Sequence, residues 1–309
     1  MTHPFRFSAS LGGLDATDLV ANAVRAEELG YSAVSLPDHF NDQAAPLIGL
    51  TAAAMATTTL RVLPLVLAND YREPLVLAKE LATIDSLSGG RLDFGIGAGW
   101  MIADYEQAGL TYDGAGMRIR RLSDAVDILR ALLAGDEVDV QSEFYNITGK
   151  LSDPLPVQVG GIPLMLAGGK QKMLTLAGEK ADIVGFNPGL THGVIDERAG
   201  ATATPTKTDE KLTWIRDGAG SRIDSIELQT RIHLAMITDD RHQVASEMAP
   251  LLGMTAVEAL ESPHALVGTV DECITSIRRW RERWGISFVS INGTEMDAFA
   301  PVVEALAGT

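Results

Sequence analysis

The sequence predicts an α/β protein built as a closed (β/α)8 TIM barrel. Strand-like apolar runs alternate with helical patterns along the whole chain, and the runs have the branched composition of buried parallel strands. We count eight such runs, which fits a closed barrel better than the open doubly wound sheet that the same alternation allows. The chain of 309 residues is a normal length for one barrel, and no linker divides it. We therefore expect a single domain over residues 1–309.

The first half of the chain supplies four of the strands. These are predicted at 5–11, 31–36, 60–68 and 91–99, with helices at 15–29, 43–58 and 74–88. Leu19 and Ala23 share one face of the first helix, and Gly30 suits its C-cap. Pro74 stands where a proline favours the first turn of a helix. The order of these elements is strand, helix, strand, as a barrel requires.

The second half repeats the pattern with one interruption. Strands are predicted at 162–169, 181–187, 226–238 and 285–293, and helices at 170–180, at 269–284 and from 295. Thr269 and Glu272 form a capping box at the start of one helix. Residues 188–212 have little apolar periodicity and would follow the sixth strand, so we expect an insertion there. It is either a lid over an active site or a solvated insertion without a role.

Charge and cysteine content exclude several classes of function. There are 25 Lys and Arg against 41 Asp and Glu, a formal net charge of −16, which argues against binding nucleic acid or an anionic membrane. The one cysteine, Cys273, cannot form an internal disulfide and lies on an apolar helical face, so we expect it in the core. We find no signal sequence and no apolar run near the ~20 residues of a membrane helix. We expect a cytoplasmic protein.

The glycine-rich run RLDFGIGAGW at 91–100 has two interpretations. A dinucleotide-binding fingerprint needs a third glycine where Trp100 stands, and it follows the first strand of a fold, whereas this run is on the fourth. As the end of a barrel strand, Gly97, Ala98 and Gly99 would let a planar ring or a phosphate approach the backbone. We prefer the second interpretation. Trp100 would then either line the pocket or pack in the core.

A second small-residue run favours an anion. Ala167, Gly168, Gly169 and Lys170 lead from a predicted strand into a helix N-terminus, where backbone N–H groups and the helix dipole attract negative charge. The six histidines have no metal-binding spacing, so we expect no metal site. For Arg118, Arg120 and Arg121 we expect solvated ion pairs with acids on the same helix, with reception of an acidic ligand as the alternative.

The chain resembles the bacterial-luciferase-like superfamily. The resemblance is carried by SLPDHF at 35–40, LVLANDYREPLVLAKELATIDSLSGGRLDFGIGAGW at 65–100, MRIRRLSDAVDILRALLAG at 117–135, PLMLAGGKQKMLTLAGEKADIVGF at 163–186 and LVGTVDECI at 266–274. Within that superfamily it is most similar to actinobacterial oxidoreductases that use the deazaflavin coenzyme F420. The resemblance spans almost the whole chain, and 188–225 is the least similar part.

The resemblance implies a site at the C-terminal mouth of the barrel. F420, or FMN as the alternative, would lie there against a non-prolyl cis peptide, which the resemblance places at Leu65-Val66. His39 would orient substrate or move a proton. The resemblance and the patterns above together give these cofactor-binding residues: Asp38, Leu65, Val66, Ala68, Asn69, Gly97, Ala98, Gly99, Trp100, Ala167, Gly168, Gly169 and Lys170. Similar sugar-phosphate dehydrogenases carry a glutamate proton donor where this chain has Trp100, which argues against glucose 6-phosphate as substrate.

The leading hypothesis is an oxidoreductase that transfers hydride between F420 and a small organic substrate. An FMN-dependent luciferase-like monooxygenase is the nearest alternative, and a non-catalytic flavin-binding protein is the second. A lyase or isomerase without a redox cofactor would need acid and base pairs at several strand ends, and we find only His39 with Asp38. By analogy with the family we expect a homodimer.

Overall fold

The computed structural model describes residues 3–190 and 197–309. The strands in these residues are β1 (Arg6–Ser10), β2 (Ala33–Leu36), β3 (Arg61–Pro64), β4 (Leu67–Ala68), β5 (Phe94–Gly97), β6 (Val138–Gln141), β7 (Asn146–Gly149), β8 (Leu164–Gly168), β9 (Ile183–Phe186), β10 (Glu227–Arg231), β11 (Leu234–Ile237), β12 (Ala265–Gly268) and β13 (Ile286–Asn292).

Most of the helices pack around the outside of the sheet, and α4 and α7 lie at the barrel mouth. They are α1 (Leu19–Glu28), α2 (Pro46–Ala56), α3 (Pro74–Ser88), α4 (Ile102–Ala108), α5 (Ala115–Leu133), α6 (Gln171–Lys180), α7 (Glu197–Gly200), α8 (Pro205–Ala219), α9 (Arg241–Met248), α10 (Ala256–Glu261), α11 (Val270–Trp284) and α12 (Met296–Leu306). Among the residues described, no helix combines the length and the apolar character needed to span a membrane.

The parallel strands form a nearly closed barrel. Their order is β3-β2-β1-β13-β10-β9-β8-β5-β4, and β3 and β4 at its two ends are consecutive pieces of one interrupted strand. A parallel bridge between Val62 and Leu92 brings β3 beside the start of β5. The TIM-type fold and all eight predicted barrel strands are therefore confirmed. The predicted ends lie within three residues of the observed ends, except that the predicted strand over 226–238 leaves the barrel after Arg231. The pairs β6-β7 and β11-β12 are separate two-stranded sheets.

The predicted strand over 226–238 is wrong in one respect, because it is two strands. The Ile232 N–H still donates to Ser290 O of β13, but the next N–H, on His233, donates to His264 O beside β12. The apolar pattern continues across this point, so the pattern could not reveal that the chain changes its pairing partner. The change carries the chain out of the barrel at the mouth.

The predicted insertion at 188–212 contains regular structure. Helix α7 and the first half of α8 lie in it, with Thr204 capping α8 and Pro205 in its first turn, while 191–196 lie outside the described residues. The face of α8 that packs inward includes Thr208 and Lys211, and these polar residues hid the helical periodicity. The Lys211 ammonium donates to Asn187 O and Thr202 O, both at 2.8 Å, and so ties together two points of this segment.

The inside of the barrel is layered along its axis. Near the N-terminal ends of the strands, Arg6 pairs with Asp93 and, at 2.7 Å, with Glu227, and Arg61 also pairs with Asp93. Next comes an apolar cluster of Ala33, Leu63, Met165, Ile183 and Phe288. The larger core lies between the strands and the helices and contains the buried Cys273, as expected. The charged and apolar layers fill the lower barrel, and a cavity lies above them at the C-terminal mouth.

Glycines on β5 make room for the interrupted strand. A Cβ on Gly95 would lie 2.4 Å from Pro64 O and 2.8 Å from a Val66 methyl group, and one on Gly97 would lie 2.9 Å from the other Val66 methyl group. The glycine spacing of this run therefore serves the packing of β5 against the Leu65-Val66 bulge.

We expect Gly95→Ala to destabilise the fold by about 2 kcal/mol or more, because the obstructing atom belongs to the backbone and cannot rotate away. Urea unfolding of the purified protein would measure the loss. Gly116→Ala is the matched control, since the only atom near its new Cβ is Lys172 Nζ at 3.9 Å, and it should be neutral or slightly stabilising. Equal stability of the two variants would contradict this account of the glycines.

We also expect Lys211 to make stability depend on pH. Burial, with Lys170 nearby, lowers the pKa of its ammonium from 10.5 to about 7. Between these values the unfolded chain holds a proton that the folded chain lacks, so the free energy of unfolding should rise with pH by up to about 1.4 kcal/mol per unit. Urea unfolding between pH 7 and 10 should show a shallower rise for Lys211→Met than for Lys207→Met, an exposed lysine on the same helix. Identical slopes would refute the assignment.

Candidate functional site

A cavity of about 580 Å³ opens at the C-terminal ends of the barrel strands. It is lined by His39 and by every residue predicted to bind cofactor except Asn69. Asn69 is only 3% exposed, and its amide donates to the Tyr145 hydroxyl at 2.9 Å. Asn69 therefore does not line the cavity in this structure, and its contact with the cofactor stays a prediction.

The floor of the cavity is the bulge between β3 and β4. The Leu65-Val66 peptide bond is cis, at the predicted position. Asp38, at the end of β2, accepts a hydrogen bond from Ala68 N at 2.9 Å and forms a two-point ion pair with Arg72. Asp38 is 6% exposed, so this paired carboxylate is a structural support of the floor.

His39 pairs with an acid that the sequence did not indicate. Its Nδ1 lies 2.7 Å from Asp104 Oδ2 on α4, whereas the neighbouring Asp38 is occupied by Arg72. With Nδ1–H donating to Asp104, Nε2 remains to accept or release a proton. The Trp100 ring stands edge-on to the imidazole with centroids 5.4 Å apart. Trp100 thus lines the cavity and contacts His39, which decides between its two predicted interpretations.

Asp104 is itself enclosed by aromatic side chains. The Tyr71 hydroxyl donates to Oδ2 at 3.4 Å, and burial together with the nearby Asp104 charge raises the pKa of Tyr71, which stays protonated. Asp104 follows β5 by only a few residues, at the end of the barrel where catalytic groups collect. That position was the available signal, but six residues lie between the end of β5 and Asp104, and no motif marks it.

The turn from β8 into α6 offers backbone donors. Gly168 and Gly169 approach their neighbours too closely for a side chain, since a Cβ on Gly169 would lie 2.4 Å from Pro188 O. Lys170 occupies the N-cap position and makes no side-chain hydrogen bond to the first turn. Lys170 and Lys172 are exposed and form no ion pair with any residue in the described ranges. The predicted anion site therefore lines the cavity and is electrostatically positive.

The arginines of α5 do not pair as predicted. Arg120 lies 3.5 Å from Glu143 and Arg121 lies 2.9 Å from Asp70, so their partners belong to other elements. Arg118 is buried against the cavity and donates to Ala98 O at 3.2 Å. Hairpin and loop residues far away in sequence supply these partners, which helical spacing alone could not show.

Three basic residues that line the cavity were not predicted from the sequence. Arg231 ends β10, His233 follows it, and His264 precedes β12, and all three line the cavity. The predicted long strand concealed the first two, because it placed them within a strand instead of at the barrel mouth. Within the residues described, no three His, Cys, Asp or Glu side chains are grouped as a metal site.

Comparison with known proteins gives sequence relatives and a shared fold. A 5,10-methylenetetrahydromethanopterin reductase from Archaeoglobus fulgidus is 32% identical over 162 residues, which cover 52% of this chain but only 46% of that protein. An F420-dependent glucose-6-phosphate dehydrogenase from Mycolicibacterium gilvum is 28% identical over 294 residues, covering 90% of this chain and 82% of that one.

A solved structure shares the architecture over nearly the full length. The coenzyme F420-dependent tetrahydromethanopterin reductase from Methanopyrus kandleri matches with a TM-score of 0.78 at 19% identity, covering 98% of each chain. At that identity the match shows the fold alone. The family model for luciferase-like monooxygenases matches residues 1–287. With its cis-peptide floor and mouth cavity, the chain belongs to this luciferase-like family of enzymes.

Proposed function

We propose that this protein binds coenzyme F420 and transfers hydride between it and a small organic substrate. The name of the F420-dependent glucose-6-phosphate dehydrogenase relative supports this coenzyme. The observation that carries the proposal is that one cavity joins the cis-peptide bulge, the glycine turn before α6 and a histidine paired with a carboxylate.

The residues present fit such a coenzyme. Leu65, Val66, Ala68, Gly97 and Ala167 expose little side chain, and they leave a surface on which a planar ring can rest. The β8-α6 turn offers backbone N–H groups to a phosphate. Lys170 and Lys172 add positive charge for the acidic tail of F420, which FMN lacks. F420 when bound supplies the hydride chemistry, and the protein supplies orientation and electrostatics.

His39 and Asp104 would control a proton beside the substrate. Asp104 keeps the proton of His39 on Nδ1 and holds the ring in place, so Nε2 faces the reaction as base or, once protonated, as acid. Trp100 packs edge-on against the imidazole of His39, where it limits rotation of that ring and helps to exclude water. In this scheme His39 is the catalytic residue and Asp104 is a positioning residue.

An FMN-dependent monooxygenase is the second candidate, because the family model itself carries that description. The homodimer expected from the family stays a prediction. Exposed apolar side chains on α2 and α3, among them Ile48 and Val76, are available for such an interface.

Binding of the coenzyme is the first test. Titration of the purified protein with F420 and, separately, with FMN, followed by tryptophan fluorescence, should give micromolar or tighter binding of F420 and much weaker binding of FMN. The double variant Lys170→Gln/Lys172→Gln should bind F420 about tenfold more weakly, a loss of about 1.4 kcal/mol, and with reduced salt dependence.

Lys150→Gln is the matched control for that loss, because Lys150 is exposed and does not line the cavity. It should bind F420 as the wild type does. Tight binding of FMN alone would favour the monooxygenase, and binding of neither coenzyme would refute both.

The roles of His39 and Asp104 are tested by substitution. In a screen of small alcohols, carbonyl compounds and enoyl substrates, His39→Ala should lower kcat about 100-fold or more, and F420 affinity should stay within about twofold. Asp104→Ala should lower kcat with little change in KM and should remove the downfield Nδ1–H proton resonance of His39. Full activity of His39→Ala on a substrate that the wild type turns over would exclude this mechanism.

A further inference from the structure

One wall of the cavity carries a positive charge that no carboxylate of the described residues neutralises. The Arg231 guanidinium donates to the Asn292 side-chain oxygen at 2.9 Å, and no carboxylate in the described parts of the chain lies within ion-pair distance of it. Desolvation lowers the pKa of this guanidinium, and no acidic neighbour opposes that effect. A cation enclosed in this way is costly unless an anion joins it.

Arg6 shows how the same barrel treats another enclosed arginine. Burial lowers the pKa of the Arg6 guanidinium, but Asp93 and Glu227 outweigh it and the net pKa is raised. Arg6 therefore has two carboxylates, whereas Arg231 has a single amide oxygen. Arg6 lies in the closed end of the barrel and Arg231 at the open one. Of these two arginines, the one without a carboxylate partner is thus the one that a ligand can reach.

Two imidazoles adjoin Arg231. His264 is 3% exposed, and its Nδ1 lies 3.1 Å from Arg231 O, which makes Nδ1 the donor and leaves Nε2 buried without a partner. The His233 ring lies 5.8 Å from that of His264 and is accessible in the cavity. Burial lowers the pKa of His264 well below its usual value, so its ring is neutral at neutral pH.

These contacts describe a two-part recognition site. A guanidinium without a counter-ion suits an oxyanion. A neutral imidazole whose Nδ1–H is already committed offers Nε2 as an acceptor, which suits a hydroxyl donor. The site is separate from the β8-α6 turn assigned to the coenzyme, because Arg231 is on β10 and β9 lies between the two strands.

We propose that Arg231 binds an oxyanion of the substrate, a carboxylate or a phosphate, and that His264 Nε2 accepts a hydrogen bond from a hydroxyl beside it. This inference rests on the proposed function and narrows its substrate to small hydroxylated anions. His39 and Asp104 line the same cavity from β2 and α4, so the substrate is held at one end and reacts at the other.

The test uses calorimetric titration of the full-length protein, with and without saturating F420, at constant ionic strength. The probes are inorganic phosphate, acetate and glycolate, the last being acetate with an added hydroxyl group. Arg231→Gln removes the charge and Arg231→Lys keeps it. Arg120→Gln is the control for loss of one positive charge outside the cavity. His264→Leu removes the proposed acceptor.

We expect at least one oxyanion to bind the F420-loaded protein, with affinity reduced about tenfold or more in Arg231→Gln and retained in Arg231→Lys and Arg120→Gln. Preference for phosphate or for acetate identifies the class of oxyanion. Glycolate should bind more tightly than acetate, and His264→Leu should abolish that difference.

Two results would overturn the inference. One is that no probe binds in either state. The other is that phosphate competes with F420 while Arg231→Gln also weakens F420, which would assign Arg231 to the coenzyme. Equal affinity for glycolate and acetate would overturn the part that concerns His264. If F420 fails to bind but an oxyanion still binds the apoprotein through Arg231, the proposed coenzyme is wrong and the oxyanion site stands.

Discussion

The Asp38 carboxylate is the contact on which the barrel mouth depends. It joins the end of β2 to Ala68 and to Arg72, and so it holds β4, the second piece of the interrupted strand, at the mouth of the barrel. On the other side, Gly95 of β5 has no side chain and so leaves room for the bulge. The same local distortion therefore closes the sheet and forms the floor of the cavity. A regular strand would close the barrel equally well, but it would present side chains where a planar ligand needs a flat surface.

Charge is distributed unevenly between the outside of the molecule and its cavity. The chain as a whole has a formal charge of −16, yet the cavity has Arg118, Arg231 and Lys170 in its wall. The two acids beside it, Asp38 and Asp104, are already committed to Arg72 and His39. An anionic coenzyme or substrate is therefore repelled by most of the surface and attracted at the mouth, so the field guides it to one place.

The sequence predicted the barrel well and the site in part. Strand positions, the cis peptide and the glycine turn before α6 follow from local patterns or from a resemblance that covers those residues. Asp104, Arg231 and His264 did not follow, because their importance comes from neighbours more than thirty residues away in the chain. Lys211 is a second example. Because a lysine occupies a buried position on the inner face of α8, the apolar periodicity of that helix is incomplete, and the sequence predicted an insertion there instead of a helix. Tertiary contacts that satisfy polar groups are invisible to periodicity.

After Ile232 the chain changes its pairing partner, so one continuous stretch contributes first to the barrel and then to a separate small sheet. Before it, residues take part in the barrel ladder, and a substitution there is felt by the whole sheet. After it, the backbone pairs only with β12, in a small sheet of its own. The side chain of His233, which lines the cavity from this second stretch, is thus carried by backbone outside the barrel ladder. Such a layout allows a lineage to diversify what it recognises while the architecture is inherited unchanged.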